Sequence, residues 1–196
     1  MVLEAIPPAA IPYVQGLLQQ HELQLKLTPK RHTKHGDYRK LPKGGHLITL
    51  NQEANPHRFL ITLIHELAHY FTFSKFGYRI KPHGKEWKST YKKLMLPLLH
   101  PTIFPPTVLQ LLARHMKNPK ASTDTDFDLV MALAATESNA ATTYVFQLEE
   151  GAVFKIYNGK VFLKGKKRRK RFECVERDTK KIYLISPHAE VVPLEG

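Results

Sequence analysis

A long helix between Asn55 and Gly77 is the feature that most constrains the fold of this chain. Asn55 stands directly before Pro56, and an N-cap Asn followed by Pro at the first helical position is a common helix start. Gly77 is the predicted helix end. Apolar residues three and four positions apart predict one broad buried face, at Phe59, Leu60, Leu63, Ile64, Leu67, Ala68 and Phe71.

Shorter apolar patterns predict the elements around this helix. Alternation of apolar and polar residues predicts strands over residues 23–28 and 46–51. Helical spacing predicts further helices near residues 11–24, from Gly84 onward and over residues 107–118. The basic segment between the two strands is rich in turn formers, and we expect turns at Gly36 and at the Gly44-Gly45 pair.

The composition of the chain changes near residue 118 and again near Tyr144. Residues 118–143 are rich in small and polar side chains, which is typical of a linker. From Tyr144 onward, alternating segments predict strands, and Asn158-Gly159 between two of them predicts a hairpin. We therefore predict an α+β fold with three parts: a main domain over residues 1–120, a linker over 121–143 with a helical turn near 130–135, and a small antiparallel β module over 144–196.

The composition favours polyanionic partners and a reducing compartment. The formal net charge is +13 and the pI is about 9.8, and such a charge attracts nucleic acids. Cys174 is the single cysteine, which excludes an intramolecular disulfide and a zinc site built from cysteines. The N-terminal segment is interrupted by prolines, and no apolar run approaches the roughly 20 residues of a membrane span. We expect a cytoplasmic protein, with association to the nucleoid as a variant of that location.

The predicted long helix contains the pattern His-Glu-x-x-His at His65, Glu66 and His69. Residues four apart share a helix face, so the two imidazoles can bind one metal ion. Glu66 is rotated by about 100° from His65 and can instead take a proton from a zinc-bound water, as in zinc peptidases. A hydrolytic zinc site needs a third protein ligand, and His83, in a segment of turn formers, is the best candidate. The alternative is a helix that carries histidines without a metal, which the ordered apolar pattern around them disfavours.

Neighbouring polar residues can complete such a site in more than one way. Tyr70, Tyr78 and Arg79 could each polarise a substrate carbonyl or stabilise the oxyanion, and the sequence does not distinguish among them. Glu86 follows His83 by three residues. It either accepts a hydrogen bond from a ligand imidazole or is a solvated glutamate in the first turn of a helix.

Four segments occur in an order that carries a family resemblance. They read LTPKRHTKHGDYR, HLITLN, NP…LITLIHELAHYF and HGKEWK, within residues 15–95. In this order the chain resembles the SprT-like, or Spartan-type, zincin metallopeptidases. The resemblance implies a zincin-like fold, Zn²⁺ bound by His65, His69 and His83, and Glu66 as the catalytic residue. It also implies hydrolysis of proteins that are bound or crosslinked to DNA.

The C-terminal residues depart from the pattern of this family in one respect. Many members end in a zinc ribbon built from four cysteines. The segment RKRFECVERDTKKIYLI is similar to the strands of such a ribbon but has Cys174 alone. The resemblance therefore implies a ribbon-like β module without its metal.

Positive charge is concentrated in three stretches. Residues 26–45 and 75–93 each contain seven Lys and Arg against one acid, and KGKKRRKR spans residues 164–171 on a predicted hairpin. Such groups neutralise phosphates, which predicts nucleic-acid contacts at Lys30, Arg31, Lys166, Lys167, Arg168, Arg169, Lys170 and Arg171. The alternative for the hairpin is a solvated turn. Three nearby aromatic residues could stack on bases, but their alternation favours packing inside the module, at Tyr157, Phe162 and Phe172.

The main functional hypothesis is a zinc metallopeptidase that acts on DNA-associated proteins. The alternative is a non-catalytic nucleic-acid-binding or transcription-associated protein with a structural metal. Glu66 speaks against this alternative, because a structural site has no need of a base. A hydrolase of small metabolites is a third hypothesis, and the strong positive charge disfavours it.

Overall fold

The computed structural model of the protein describes residues 2–19, 21–31, 33–53, 55–136 and 143–194. Its contacts divide the chain into two compact units, Met1–Glu137 and Ser138–Gly196. The first unit combines helices with a small sheet and the second is built from strands, so the predicted α+β class is confirmed. No helix in the described ranges has the length and apolar character that a membrane span requires.

The first unit contains helices α1 to α5 and strands β1 to β3. The helices are α1 (Ile11–Leu18), α2 (Pro56–Phe76), α3 (Lys85–Met95), α4 (Pro106–Met116) and α5 (Phe127–Ala134). The strands are β1 (Leu23–Thr28), β2 (Gly36–Lys40) and β3 (His46–Asn51). Short 3₁₀ turns accompany them at Val2–Ala5, Pro8–Ala10, Gly77–Arg79, Leu96–Leu98 and Thr123–Thr125.

The three strands form one sheet in the order β1-β3-β2. β1 runs parallel to the central strand β3, and β2 runs antiparallel to it. β2 is therefore an edge strand. Gly36 begins this strand, opposite Leu50, so the turn predicted at Gly36 is wrong. The reason is tertiary, because at Gly36 the strand passes so close to α2 that the position has no room for a Cβ atom.

Helix α2 begins and ends where the sequence predicts. The side-chain oxygen of Asn55 accepts hydrogen bonds of 3.0 Å from the backbone N–H groups of both His57 and Arg58, which satisfies two unpaired groups of the first turn. Gly77 follows the last residue with φ 65°, a backbone conformation that favours glycine. The apolar face of α2 is buried in the main core together with Ile48 and Leu50 of β3.

The segment predicted as a linker belongs largely to the first unit. Leu129 and Leu133 of α5 are fully buried in the core of that unit. The Asn55 side chain also donates a hydrogen bond of 2.7 Å to the carbonyl oxygen of Leu133, which ties α5 to the start of α2. Residues 121–136, predicted as part of a linker, therefore belong to the first unit, and the helical turn predicted near residues 130–135 is part of α5. The remaining linker positions, 137–142, lie outside the described residues.

The second unit contains one antiparallel sheet. Its strands are β4 (Thr143–Tyr144), β5 (Val153–Lys155), β6 (Val161–Arg168), β7 (Arg171–Glu176), β8 (Ile182–Ile185) and β9 (Glu190–Leu194), in the order β4-β9-β5-β6-β7-β8. The predicted hairpin at Asn158-Gly159 joins β5 to β6, and Gly159 has φ 84°. Of the three aromatic residues predicted to pack inside, Phe162 is buried and Phe172 packs against the core, whereas Tyr157 is exposed. The likeness of this module to a zinc ribbon stays a prediction.

Candidate metal centre

Three histidine side chains meet at one point of the first unit. The Nε2 atom of His65 lies 3.3 Å from that of His69 and 3.3 Å from that of His83. The Nε2 atoms of His69 and His83 are 2.9 Å apart. These three residues are the group of metal-ligating side chains that converges within the described part of the chain.

The spacing of the three nitrogen atoms fits a tetrahedral metal ion. With Zn–N bonds of about 2.0–2.1 Å and tetrahedral angles, neighbouring ligand atoms lie about 3.3–3.4 Å apart. Two of the three observed separations are 3.3 Å, and the third, 2.9 Å, is shorter by a few tenths of an ångström. Because three ligands leave one tetrahedral position open, the donor set is of the kind that catalytic zinc sites use.

Local structure explains why these residues meet. His65 and His69 project from one face of α2, one turn apart. His83 lies after the end of α2 in a tight turn, in which the N–H of Gly84 donates to the carbonyl oxygen of Lys81 at 2.9 Å. A Cβ atom on Gly84 would lie 2.8 Å from that carbonyl oxygen, so the turn needs glycine there. His83 itself has φ 56°, a strained conformation that directs its ring back toward α2.

Trp87 forms one wall of the metal centre, a role that the sequence analysis missed. It is 1% exposed, and its ring centroid lies 4.7 Å from that of His65 and 4.7 Å from that of His83. The indole ring therefore packs against one histidine from α2 and one from the turn that follows it. Its position one helical turn after His83, at the start of α3, is the sequence signal that could have identified it.

The histidine rings are held in the form that binds metals. Burial, together with the charges of neighbouring histidines, lowers the pKa of His65 to about 3 and that of His69 to about 4. Burial also lowers the pKa of His83. All three imidazoles are therefore neutral at neutral pH, with nitrogen lone pairs available for a metal.

Glu66 is buried between α2 and the edge strand β2. Its residue is 7% exposed, and its carboxylate accepts a hydrogen bond from the backbone N–H of Tyr38. Burial, followed by the negative charge of Asp37, raises the pKa of Glu66 to about 8, although the Tyr38 hydrogen bond acts in the opposite direction. A carboxyl group with a pKa in this range can both accept and donate a proton near neutral pH.

The histidines and Glu66 open onto one cleft of about 710 Å³. β2 forms one side of this cleft, and the turn after α2 contributes another side. Residues 121–124, from the segment that was predicted as a linker, also line it. There the carboxylate of Asp124 contacts Nε2 of His35 at 3.1 Å and Nη1 of Arg58 at 3.4 Å. The sequence missed this contribution, because it depends on where α5 packs.

The three candidates for polarising a substrate carbonyl differ in their exposure and in their access to the cleft. Tyr78 lines the cleft and is 78% exposed, with its ring 4.8 Å from that of Phe73. Arg79 is exposed and is not among the described residues that line the cleft. Tyr70 is buried and packs against the ring of Tyr38, away from the cleft. Tyr78 is therefore the one of these three whose side chain has access to a substrate.

Glu86 lies in the first turn of α3. A Cβ atom built on Gly84 would come within 3.5 Å of its carboxylate, which places that carboxylate beside the N-terminus of the helix. Among the residues that the structure describes, Glu86 makes no side-chain hydrogen bond to His65, His69 or His83. This position is the one expected of a glutamate that interacts with the helix dipole.

The residues predicted to bind nucleic acids have different environments. Arg31 is half-buried, and its guanidinium donates to the Asn51 side chain at 2.7 Å and to the Thr49 hydroxyl at 2.9 Å, which is a structural role. Lys30 is exposed. On the β6–β7 hairpin the six predicted contacts are exposed, at Lys166, Lys167, Arg168, Arg169, Lys170 and Arg171. Lys164 of the same basic run is buried and donates to the carbonyl oxygen of Leu148.

Comparison with known proteins identifies the family. The sequence model of the SprT-like family matches residues 11–108, which is half of the 196-residue chain. A search of curated proteins and a search of solved structures each found no match. The matched range contains α2, the turn of His83 and the edge strand β2, which are the elements that form the metal centre. The chain therefore belongs to the SprT-like family, whose metallopeptidase-type function is consistent with a cluster of three histidines.

Proposed function

We propose that this protein is a zinc-dependent metallopeptidase with a zincin-like active site. The observation that carries the proposal is the convergence of three Nε2 atoms within 3.3 Å of one another, beside a buried glutamate that opens onto the same cleft. Zinc is the metal that best fits three neutral imidazoles with one open position. A metal held only for stability would not require a carboxylate directed into the open cleft.

The residues of the site have separate tasks in this reaction. His65, His69 and His83 would hold the ion through their Nε2 atoms. When bound, Zn²⁺ supplies a Lewis acid that polarises the peptide carbonyl and makes water more acidic. Glu66 takes the proton of the attacking water and passes it to the leaving amine. The backbone N–H of Tyr38 holds the Glu66 carboxylate in place for both transfers.

The cleft is suited to an extended peptide. β2 borders it and is paired with β3 on one side, so its other edge faces the cleft, where an extended chain can lie beside it. Tyr78 stands at the rim with its hydroxyl accessible, and it is the residue that we assign to the developing oxyanion.

We place the substrates among proteins on or near DNA. The support is the net charge of +13 and the exposed basic run on the β6–β7 hairpin, together with the family resemblance. Lys30 and the six exposed hairpin residues are the proposed nucleic-acid contacts. Arg31 is left out of this set because its guanidinium is engaged within the first unit.

The test of the reaction is the substitution Glu66→Gln. We expect one zinc ion per chain by elemental analysis in both the wild type and the variant. The variant should lose about 10²–10⁴-fold of the cleavage rate of unfolded casein and of a DNA-bound protein, because the general base is gone. Glu22→Gln, the same chemical change at an exposed position, is the control and should retain activity. Cleavage at the wild-type rate by Glu66→Gln would contradict the proposal.

A non-catalytic nucleic-acid-binding protein with a structural metal is the second candidate. The observation that favours it is the row of six exposed cations on the β6–β7 hairpin. It predicts that Glu66→Gln leaves DNA affinity and cellular function unchanged, and that no protein substrate is cut in the presence or absence of DNA.

A further inference from the structure

The sheet of the second unit has two apolar faces. One face carries the core of the unit, built from Val145, Phe154, Phe162, Cys174 and Val191. Because side chains alternate along a strand, the neighbouring positions point to the opposite side of the sheet. Eight of them are aliphatic and form what we call the outer face: Val153, Val161, Leu163, Val175, Ile182, Leu184, Val192 and Leu194.

The strand register arranges five of these residues in a continuous row. Residues that pair directly across neighbouring strands lie side by side on the same face. The row runs from β9 to β8 through Leu194, Val153, Leu163, Val175 and Ile182. Four members of the outer face are strongly exposed: Leu163 by 45%, Leu184 by 53%, Val192 by 55% and Ile182 by 65%. Such a continuous apolar surface is characteristic of a binding site.

Two cations border this row on one side. They are Lys155, which pairs with Val161 and Val192, and Arg177, whose N–H donates to the carbonyl oxygen of Val161. On the other side, the next residue of β7 on this face is Glu173, whose carboxylate contacts Arg168 at 3.0 Å. Lys155 and Arg177 have no ion pair within the described ranges, so carboxylates of a partner could occupy them.

We propose that the outer face binds an acidic amphipathic helix of a partner protein, with an apolar stripe on the aliphatic row and carboxylates on Lys155 and Arg177 at one side of it. Neighbouring strands are about 4.8 Å apart, so a row across five strands spans about 19 Å, the length of roughly 13 helical residues. The aliphatic row disfavours nucleic acid as the occupant, because stacking on bases requires aromatic rings and none of the five residues in the row is aromatic.

The test measures binding of a synthetic helical peptide to the full-length protein. The peptide has about 18 residues, long enough to form a helix, with a leucine stripe flanked on one side by glutamates. A peptide of the same composition in scrambled order is the comparison. We expect the patterned peptide to bind at least about tenfold more tightly in fluorescence anisotropy, because only its apolar and acidic residues match the pattern of the face.

Variants of the outer face measure separately how much apolar contact and how much charge contribute to binding of the peptide. The double substitution Ile182→Ser and Leu184→Ser removes exposed apolar surface and should weaken binding by about tenfold or more. Lys155→Glu with Arg177→Glu should weaken binding by at least about fivefold. Lys181→Glu makes the same kind of charge change at an exposed residue outside the row and is the control. Circular dichroism checks that each variant is folded.

Three results would overturn the proposal. The first is equal affinity for the patterned and scrambled peptides, and the second is an equal loss of affinity in the Lys181→Glu control. The third combines two findings. The peptide does not bind the wild-type protein, and the double variant Ile182→Ser with Leu184→Ser loses a different interaction that the wild type makes. That different interaction is either binding to vesicles of phosphatidylcholine and phosphatidylserine or a dimer detected by sedimentation. Because the peptide assay does not require proteolysis, its outcome is independent of the proposed peptidase function.

Discussion

Gly36 is predicted to be essential for the position of Glu66. A Cβ atom at this position would lie 2.8 Å from Cγ of Glu66, 2.8 Å from Cγ2 of Thr62 and 2.9 Å from Oε1 of Glu66. Carbon atoms that are not bonded to each other prefer separations of about 3.5–4.0 Å, so Gly36→Ala creates overlaps of roughly 0.7–1.2 Å. To relieve them, either the Glu66 side chain or the edge strand β2 must move.

The overlap allows an estimate of both stability and activity. Overpacking of a buried contact of this kind reduces the free energy of unfolding by about 1–3 kcal/mol. A displacement of the general base by close to 1 Å reduces the rate of the chemical step by about 10²-fold. Because the three histidines do not contact Gly36, zinc content should remain that of the wild type.

The assay combines urea unfolding, elemental analysis and the initial rate of casein cleavage. Gly16→Ala is the control, because a Cβ atom there has no neighbour within 4 Å and the residue lies in helix α1. Alanine should stabilise that helix by about 0.5–1 kcal/mol and leave the cleavage rate unchanged. If Gly36→Ala cleaves casein at the wild-type rate and is as stable as the wild type, the contact does not position Glu66 and the reasoning is refuted.

Three further predictions concern the cap of α2, pH dependence and the metal. Asn55→Ala removes two capping hydrogen bonds and the hydrogen bond from the Asn55 side chain to the Leu133 carbonyl oxygen, so urea unfolding should show a loss of about 1–3 kcal/mol, and a loss below 0.5 kcal/mol would contradict it. The hydrogen bond that the His35 ring donates to Asp124 raises the pKa of His35 to about 9. Against the effect of burial, the hydrogen bond from His35 and its charge lower the pKa of Asp124 to about 2. Their stabilisation should therefore be complete between about pH 4 and pH 6.5 and decline as the pH rises through about 9 or falls through about 2. Both side chains are at least one-third exposed, so the contribution is about 1 kcal/mol or less, and a difference between wild type and His35→Gln that does not vary with pH would refute it. His83→Ala should weaken zinc binding by at least about 100-fold in chelator competition, whereas His100→Ala, at an exposed site, should not; equal effects would exclude His83 as a ligand.

Short-range sequence patterns predicted the elements of the first unit well. The bounds of β1, β3 and α2 agree with the structure, because each depends on alternation, helical spacing or a cap within a few residues. The same holds for the pair His65 and His69, since positions four apart on a helix always share a face. The hairpin at Asn158-Gly159 was equally accessible, because the turn requires the positive φ of 84° that Gly159 adopts.

Predictions failed where the environment of a residue depends on distant segments. Gly36 lies in a strand and not in a turn, and glycine is needed there because the close approach of α2 leaves no room for a side chain. Arg31 is engaged with β3 instead of facing a nucleic acid. The apolar residues of α5 form too short a pattern to be assigned to the core from sequence. Their burial depends on the packing of α5 at the start of α2.

The sequence by itself determined the helix, the shared face of His65 and His69 and the place of Glu66 beside them, because all of these follow from the geometry of one continuous segment. Only the tertiary structure decided that His83 turns back to meet them, that Trp87 forms a wall of the site and that residues 121–124 line the cleft. It also decided that a second apolar face lies open on the C-terminal sheet, since strand register is set by pairing partners far apart in the chain. Contacts between distant segments depend on the combined packing of many side chains from different parts of the chain. A pattern within one short segment therefore cannot predict them.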